Sequence, residues 1–356
     1  MTESTVGRGG IAHRGATQRQ VAERAGVSAQ TVSRVANDAS NVDPETRDRV
    51  LAAMRDLGYR RNRVGLALRS GEYRSIGVGM FTLATYGNVR TWEAIALAAN
   101  EVGYSVILVP VDGADPSGLA DALNRLGEQP VDGILLLFER RALAGSEVEL
   151  PAGLPVVLID SVGDAIIDTN QGMGARQATE HLLGLGHPTV HHVGGPVDSY
   201  AAMRREEAWR ACLEERGLDV SPVQRGDWSS ESGYRAGLEI LRRGGASAIF
   251  SANDEMALGV LRALHESGVA VPGEVSVVGF DDMADAASFW PPLTTIRQDF
   301  ATVGRAAVHR LLERIAGDGP PERVPLVPTE LVVRASTGPY RPKWSPSRRD
   351  NAGKRP

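Results

Sequence analysis

A single cysteine, Cys212, stands in the 356 residues. No intramolecular disulfide can form, a cysteine-rich zinc site is excluded, and the lone thiol agrees with a reducing compartment. No window approaches the roughly 18 consecutive apolar residues of a membrane span. The N-terminus, MTESTVGRGGIAHRG, lacks the apolar stretch of a signal peptide, so a cytoplasmic location is expected. Motifs of common enzyme chemistry are missing as well. There is no P-loop and no G-x-S-x-G elbow, and GMGARQ at 172–177 lacks the third glycine of a dinucleotide fingerprint. His187, His191 and His192 have no carboxylate or cysteine cluster at ligand spacing, and GHPTVHHVGG reads as a helix end running into a buried strand. No metal, no cofactor and no catalytic role are expected.

What is present is an uneven charge. The net value of -5 combines +5 over residues 1–74, -15 over 75–340 and +5 over 341–356. An acidic body repels phosphates, so a basic N-terminal module on it suits a small polyanion-binding head; ordinary charge variation is the alternative.

Three helical patterns follow one another over residues 17–59. Thr17 and Gln20 have capping-box spacing before a face of Val21, Ala22 and Ala25, and Gly26 ends that helix. Ser28 is the expected cap of a second helix that turns Val32, Val35 and Ala36 inward. Asp43 and Pro44 open a third, with Val50, Met54 and Leu57 inward and Gly58 as its stop. From residue 75 short apolar runs alternate with amphipathic helices: SIGVGMF, YSVILVP, DGILLLF, PVVLID, HHVGG, AIFSAN and VSVVGFDD. That alternation predicts an α/β fold of parallel sheets, and the number of runs suits two doubly wound lobes better than one sheet. Residues 339–356 are Pro-rich and basic without periodicity and are expected to be a disordered tail, as are residues 1–16.

Two short helices around a turn at Gly26 form a helix-turn-helix pattern. With Val32, Val35 and Ala36 inward, the second helix presents Gln30, Ser33, Arg34 and Asn37 on its other face. These side chains suit base edges: Arg bonds guanine O6 and N7, and Gln or Asn bonds adenine N6 and N7. A polar helix without special purpose is the plain alternative.

The segment RQVAERAGVSAQTVSRVANDASNVDPETRDRVLAAMRDLGYRRNRV resembles the headpiece of the lactose-repressor (LacI/GalR) family. Further blocks in the same order, GDWSSESGY, SANDEMALG and VSVVGFDDMADAASFWPPLTTIRQDF, extend the likeness over about residues 17–336. The resemblance implies a three-helix helix-turn-helix headpiece (17–60), a hinge helix and linker (61–74), and a two-lobed, periplasmic-binding-protein-like sensor (75–338). Its N-lobe would be about 75–169 and 298–329, and its C-lobe about 170–297 and 330–338. It also implies that Ser28, Ala29, Gln30, Thr31, Ser33 and Arg34 lie at or near the DNA groove. Ala29 has no polar group and touches at most an apolar edge such as a thymine methyl, which leaves base choice to Gln30 and Arg34. Thr17, Asn37, Asn41, Thr46 and Tyr59 match phosphate-holding positions, which fix register without reading sequence.

In the hinge, Asn62 is the expected cap of a helix too short to persist alone in water. By resemblance it folds on operator DNA, pairs with its twin and drives Leu68 into the minor groove as a wedge. Arg61 stands where the family commonly has proline and Gly65 where alanine is usual; glycine costs a helix about 0.8–1 kcal/mol against alanine.

In the sensor, Asp160, Asn253 and Asp281 end apolar runs, and small ligands bind at the carboxyl ends of parallel strands. Each of them is also a residue type that caps a following helix, and Trp228 is equally a core residue type. The resemblance places Asp160, Arg205, Trp228, Asn253, Asp281 and Phe300, with Phe81 as an addition, at ligand-contacting positions. It implies a sugar effector rather than a purine, with Tyr86, Trp290 and a loop at 197–204 departing from the family's sugar-sensing pattern. The expected protein is therefore a sugar-responsive DNA-binding repressor. It binds double-stranded, pseudo-palindromic operator DNA as a homodimer, since the leucine-heptad segment that tetramerises some relatives has no counterpart. A sugar-binding transport protein is the reading from another class, and residues 1–74 argue against it.

Overall fold

The computed structural model describes residues 16–37, 39–59, 71–111, 116–137, 153–159, 167–317 and 326–342. Asn62, Leu68, Asp160 and the hinge positions 61–70 lie outside the described residues. The chain divides into two compact units, Met1–Tyr73 and Arg74–Pro356.

The first unit is three helices: α1 (Gln18–Ala25), α2 (Ala29–Ala36) and α3 (Pro44–Asp56). Its turns form as the local chemistry requires. Thr17 and Gln20 complete a reciprocal capping box, Gly26 closes α1 in the left-handed region at φ 66°, and Ser28 and Asp43 cap α2 and α3. Val21, Ala22, Val32, Val35, Val50 and Ala53 pack into one core. Leu57 departs from expectation. It is 37% exposed, and Ala53 is buried instead, because α3 ends at Asp56 and Leu57 already lies in its C-terminal cap.

The second unit holds two sheets. In the N-lobe, β1 (Ser75–Met80), β2 (Ser105–Pro110), β3 (Gly133–Leu137) and β4 (Val156–Ile159) run parallel in the order β2-β1-β3-β4. Ile76, Val78 and Met80 face α4 (Tyr86–Glu101) and α10 (Phe300–Ala316). Ile134 and Leu136 face α5 (Pro116–Gly127) through Leu119, Leu123 and Leu126. Helices on both faces explain why these strands read as continuous apolar runs.

The C-lobe sheet has the order β10-β9-β8-β7-β5-β6. It comprises β5 (His191–Gly194), β6 (Gln224–Arg225), β7 (Ala248–Ser251), β8 (Ser276–Asp281), β9 (Thr294–Gln298) and β10 (Thr329–Val332). Helices α6 (Gln171–Gly184) and α7 (Tyr200–Glu214) cover one face through Ala178, Leu182, Trp209 and Leu213. The other carries α8 (Ser230–Arg243) and α9 (Asp254–Glu266). These last two cross at near backbone contact: a Cβ on Gly259 would lie 1.9 Å from the Ser230 carbonyl oxygen.

All seven apolar runs form strands, while β6, β9 and β10 were not anticipated. Contrary to an all-parallel expectation, β10 pairs antiparallel with β9 at the sheet edge. It enters from the N-lobe, where Val327 is part of the core, and so arrives at the sheet in the opposite direction. Among the described residues the chain passes between lobes at 167–170, at 298–300 and at 327–329. The first and third passages are laced by Val327 N–H to Asp168 O (2.9 Å) and Asn170 N–H to Val327 O (2.8 Å). Two further expectations change. Residues 200–204, read as loop, are the first turn of α7. The tail, read as starting at 339, is packed at its start: Tyr340 donates its backbone N–H to Leu185 O at 2.8 Å, and its ring lies 5.6 Å from that of His187.

Candidate functional sites

On α2 the burial of Val32, Val35 and Ala36 dictates what faces out. Ala29, Gln30, Arg34 and Asn37 are exposed and Ser33 half-buried. The side chains of Gln30 and Arg34 make no hydrogen bond among the described residues, so their donors are available to a ligand, whereas Ser28 and Thr31 are tied to one another at 3.0 Å in the cap. Asn37 reaches back to Ser33 Oγ at 3.5 Å. Around this face, Thr17 and Asn41 are exposed, Thr46 has its backbone N–H held by Asp43 at 3.0 Å, and Tyr59 packs half-buried on the core. One short helix thus displays an unengaged amide and an unengaged guanidinium one turn apart.

In the second unit a cleft opens between the lobes. Arg205, Trp228, Asn253, Asp281 and Phe300 line it. Asp160 lies outside the described residues, though Ile159 before it is a lining residue. Phe81 does not line the cleft. Side chains alternate along β1, and where Met80 points into the α4 side of the sheet, Phe81 packs on the opposite cluster with Leu119 and Tyr200.

The base of the cleft is polar and buried. Arg205, 4% exposed, donates from Nε to Gln171 Oε1 at 2.9 Å and from Nη1 to the Ala252 carbonyl, and its plane stacks 3.7 Å from the Phe280 ring centroid. Its Nη2 lies 3.7 Å from Asp281 Oδ1, which also accepts Gln298 Nε2 at 2.6 Å. Burial pushes the Asp281 carboxyl up to about 7, opposed by Arg205. Burial likewise raises Asp168 to about 6, held back by hydrogen bonds from Gln171 and the Thr169 N–H and by the charges of Arg204 and Arg205. Asp281 (φ 115°) and Trp228 (φ 74°) both sit at positive φ without being glycine, a strain that clusters at ligand sites. The Trp228 ring also lies over Gly195, where a Cβ would meet it at 2.4 Å.

Asn253 plays the capping part that its residue type allows. Its Oδ1 accepts the Met256 N–H (2.9 Å), while Nδ2 donates to Trp228 O (3.0 Å) and Glu255 Oε2 (2.6 Å). Phe300 meets Tyr86 edge-on at 6.1 Å, and Trp290, 90% exposed, is not a lining residue. His192 is a core residue: Nδ1 pairs with Phe250 O at 2.9 Å, the ring stacks on Phe250 at 4.8 Å, and burial lowers it to about 4.

Sequence reasoning missed Asp168, Gln171 and Gln298 in the cleft wall. The strand-end rule that picks out Asp281 also applies to Asp168 after Ile167 and to Gln298 at the end of β9, once those short segments are recognised as extended.

Two family descriptions match the chain: bacterial regulatory proteins, lacI family, over residues 17–62, and the periplasmic binding protein-like domain over residues 179–337. The lactose operon repressor of Escherichia coli K12 is 36% identical over 326 residues, covering 90% of each chain. The chain belongs to the lacI family. Within that family it is also similar to the transcriptional repressor PurR of Haemophilus influenzae PittEE, 32% identical over 90% of this chain and 98% of the relative. A crystal structure of the lac repressor dimer bound to operator and the anti-inducer ONPF superposes with a TM-score of 0.82 at 35% identity, covering 91% of this chain and all of the other. This lacI-family chain is a DNA-binding transcriptional repressor with a ligand-binding domain. No helix among the described residues is long and apolar enough to cross a membrane.

Proposed function

We propose that this repressor is sugar-responsive: as a homodimer it holds a pseudo-palindromic operator and releases it when a mono- or oligosaccharide enters the cleft, controlling carbohydrate-utilisation genes. The observation that carries this reading is the meeting, in one cleft, of the aromatic side chains Trp228 and Phe300 with the buried polar pair Arg205 and Asp281. A sugar has apolar ring faces and a rim of hydroxyls, and this lining matches both. Asn253 contributes by holding Trp228 and Glu255 in place, and Asp160 and Phe81 are retained as contacts by resemblance alone.

On the DNA side, Gln30 and Arg34 read bases, with Ser28, Ala29, Thr31 and Ser33 at the groove. Thr17, Asn37, Asn41, Thr46 and Tyr59 hold phosphates. Asn62 and Leu68 would act in the hinge. Two-fold symmetry matches two half-sites, since one short helix reads too few bases by itself. Ligand-driven movement of the lobes reorients the hinges, and a coupling of about 1–3 kcal/mol gives a several-fold to hundred-fold response.

The test is a thermal-shift panel of mono- and disaccharides beside hypoxanthine and guanine, followed by operator binding with each hit. A saccharide that raises Tm and releases the operator supports the reading. A purine that raises Tm where no saccharide does would sink it.

A further inference from the structure

We infer that Asp168 is a specificity-determining residue of the cleft, its carboxylate accepting a ligand hydroxyl at the passage between the lobes, so that the site takes a neutral polyhydroxyl ligand in preference to an anionic one. This rests on the sugar reading and narrows it.

Hydrogen-bonding capacity singles out Asp168 within the cleft wall. Gln171 has no amide hydrogen to spare: both have an acceptor, Asp168 Oδ1 and Gln298 Oε1 at 3.3 Å each, and its oxygen takes Arg205 Nε. Gln298 accepts that bond and donates to Asp281. Asp168, by contrast, is a carboxylate with about four acceptor positions. Inside the protein it takes the Gln171 amide and the Thr169 N–H. It is 5% exposed and lines the cleft, so the hydroxyl of a bound ligand can fill an acceptor position there.

Charge points the same way. Among the described residues lining the cleft, Asp168 and Asp281 are the anionic groups and Arg205 the one cation, and Arg205 is committed to Gln171, Ala252 O, Asp281 and the Phe280 ring. With its guanidinium already engaged, the lining has little to offer a phosphate or a further carboxylate, whereas its carboxyl oxygens can accept from hydroxyl donors. Position matters too. The backbone of Asp168 is laced to Val327 in a neighbouring passage, so a ligand held there touches the joint between the lobes rather than one wall.

Calorimetric titration of the full-length wild type and of Asp168→Asn and Asp168→Ala tests this. The probes are glucose, galactose, lactose and cellobiose, beside glucose 6-phosphate and glucuronate. The sugar that binds wild type should bind both variants about ten-fold or more weakly, as expected for a lost hydrogen bond to a charged group. Ligand-free Asp168→Asn should melt no lower than wild type, because a buried charge is removed; a merely structural residue would give a lower Tm. The phosphorylated and carboxylated sugars should bind wild type about ten-fold or more weakly than the neutral ones. Equal affinity of the variants for the same sugar overturns the role of Asp168 while leaving the sugar reading intact. Equal affinity of wild type for glucose 6-phosphate overturns the neutral-ligand inference alone. Binding of none of these sugars takes down the underlying reading and this inference with it.

Discussion

The Glu255 carboxylate accepts the backbone N–H of Tyr86 at 3.0 Å, and the two residues belong to opposite lobes. Tyr86 opens α4, whose cap residue Thr85 makes no side-chain cap hydrogen bond. Glu255 lies in the first turn of α9 and is tied there by Asn253. One carboxylate from the C-lobe therefore serves an orphan N–H at a helix start in the N-lobe, where a negative charge is favoured. Glu255→Ala should loosen this closure: the second unit is expected to lose about 1–3 kcal/mol in urea unfolding, and X-ray scattering should report a larger radius of gyration without ligand. Unchanged stability and dimensions would show that the contact does not hold the lobes together.

The exposed guanidinium of Arg34 is the base-reading group that the proposed function leans on most. Arg34→Ala should cost about 1–3 kcal/mol in operator binding and relax sequence choice. Fluorescence anisotropy with operator and random duplexes reads both, and a variant that binds each duplex as the parent does would contradict the assignment.

The Asp281 carboxyl predicts a pH dependence with a definite sign. Folded, it keeps its proton up to about pH 7; unfolded, it releases it near about pH 3.9. Stability from this group is full below the unfolded value and is lost as the pH rises through the folded one. Asp168 acts in the same direction up to about pH 6. His192 acts oppositely, its stability present above the unfolded histidine value and lost as the pH falls through about 4. Asp281→Asn removes one titration, so urea unfolding should show its stability relative to wild type increasing from about pH 5 to about pH 8. A difference that stays flat with pH would mean that the carboxyl titrates normally.

Local chemistry made much of the molecule legible. The capping box at Thr17, the glycine at position 26 and the Asp43-Pro44 start each act within one helical turn, so α1, α2 and α3 follow from neighbours in the chain. The same holds for the apolar runs that become β1 or β8, because strands covered on both faces leave no polar alternation to confuse the pattern. Leu57 was misread because the end of α3 and the three-helix core together decide which side chain is covered. Gln298 and Asp168 escaped notice because their importance comes from Gln171, which is separated from Gln298 by 127 positions in the chain.

The order of polar and apolar residues alone thus determined a helix-turn-helix head, alternating strands and helices, and the strand-end candidates Asn253 and Asp281 that line the cleft, while Arg205, Trp228 and Phe300 came from the family resemblance. Only the tertiary structure decided that β10 turns antiparallel at the sheet edge, that Phe81 packs on the cluster of Leu119 and Tyr200, and that Asn253 spends its amide on Met256, Trp228 and Glu255. The physical reason is that spacing along a chain dictates which face a side chain occupies, whereas hydrogen-bond capacity and burial depend on groups from distant parts of the chain that meet only in the folded structure.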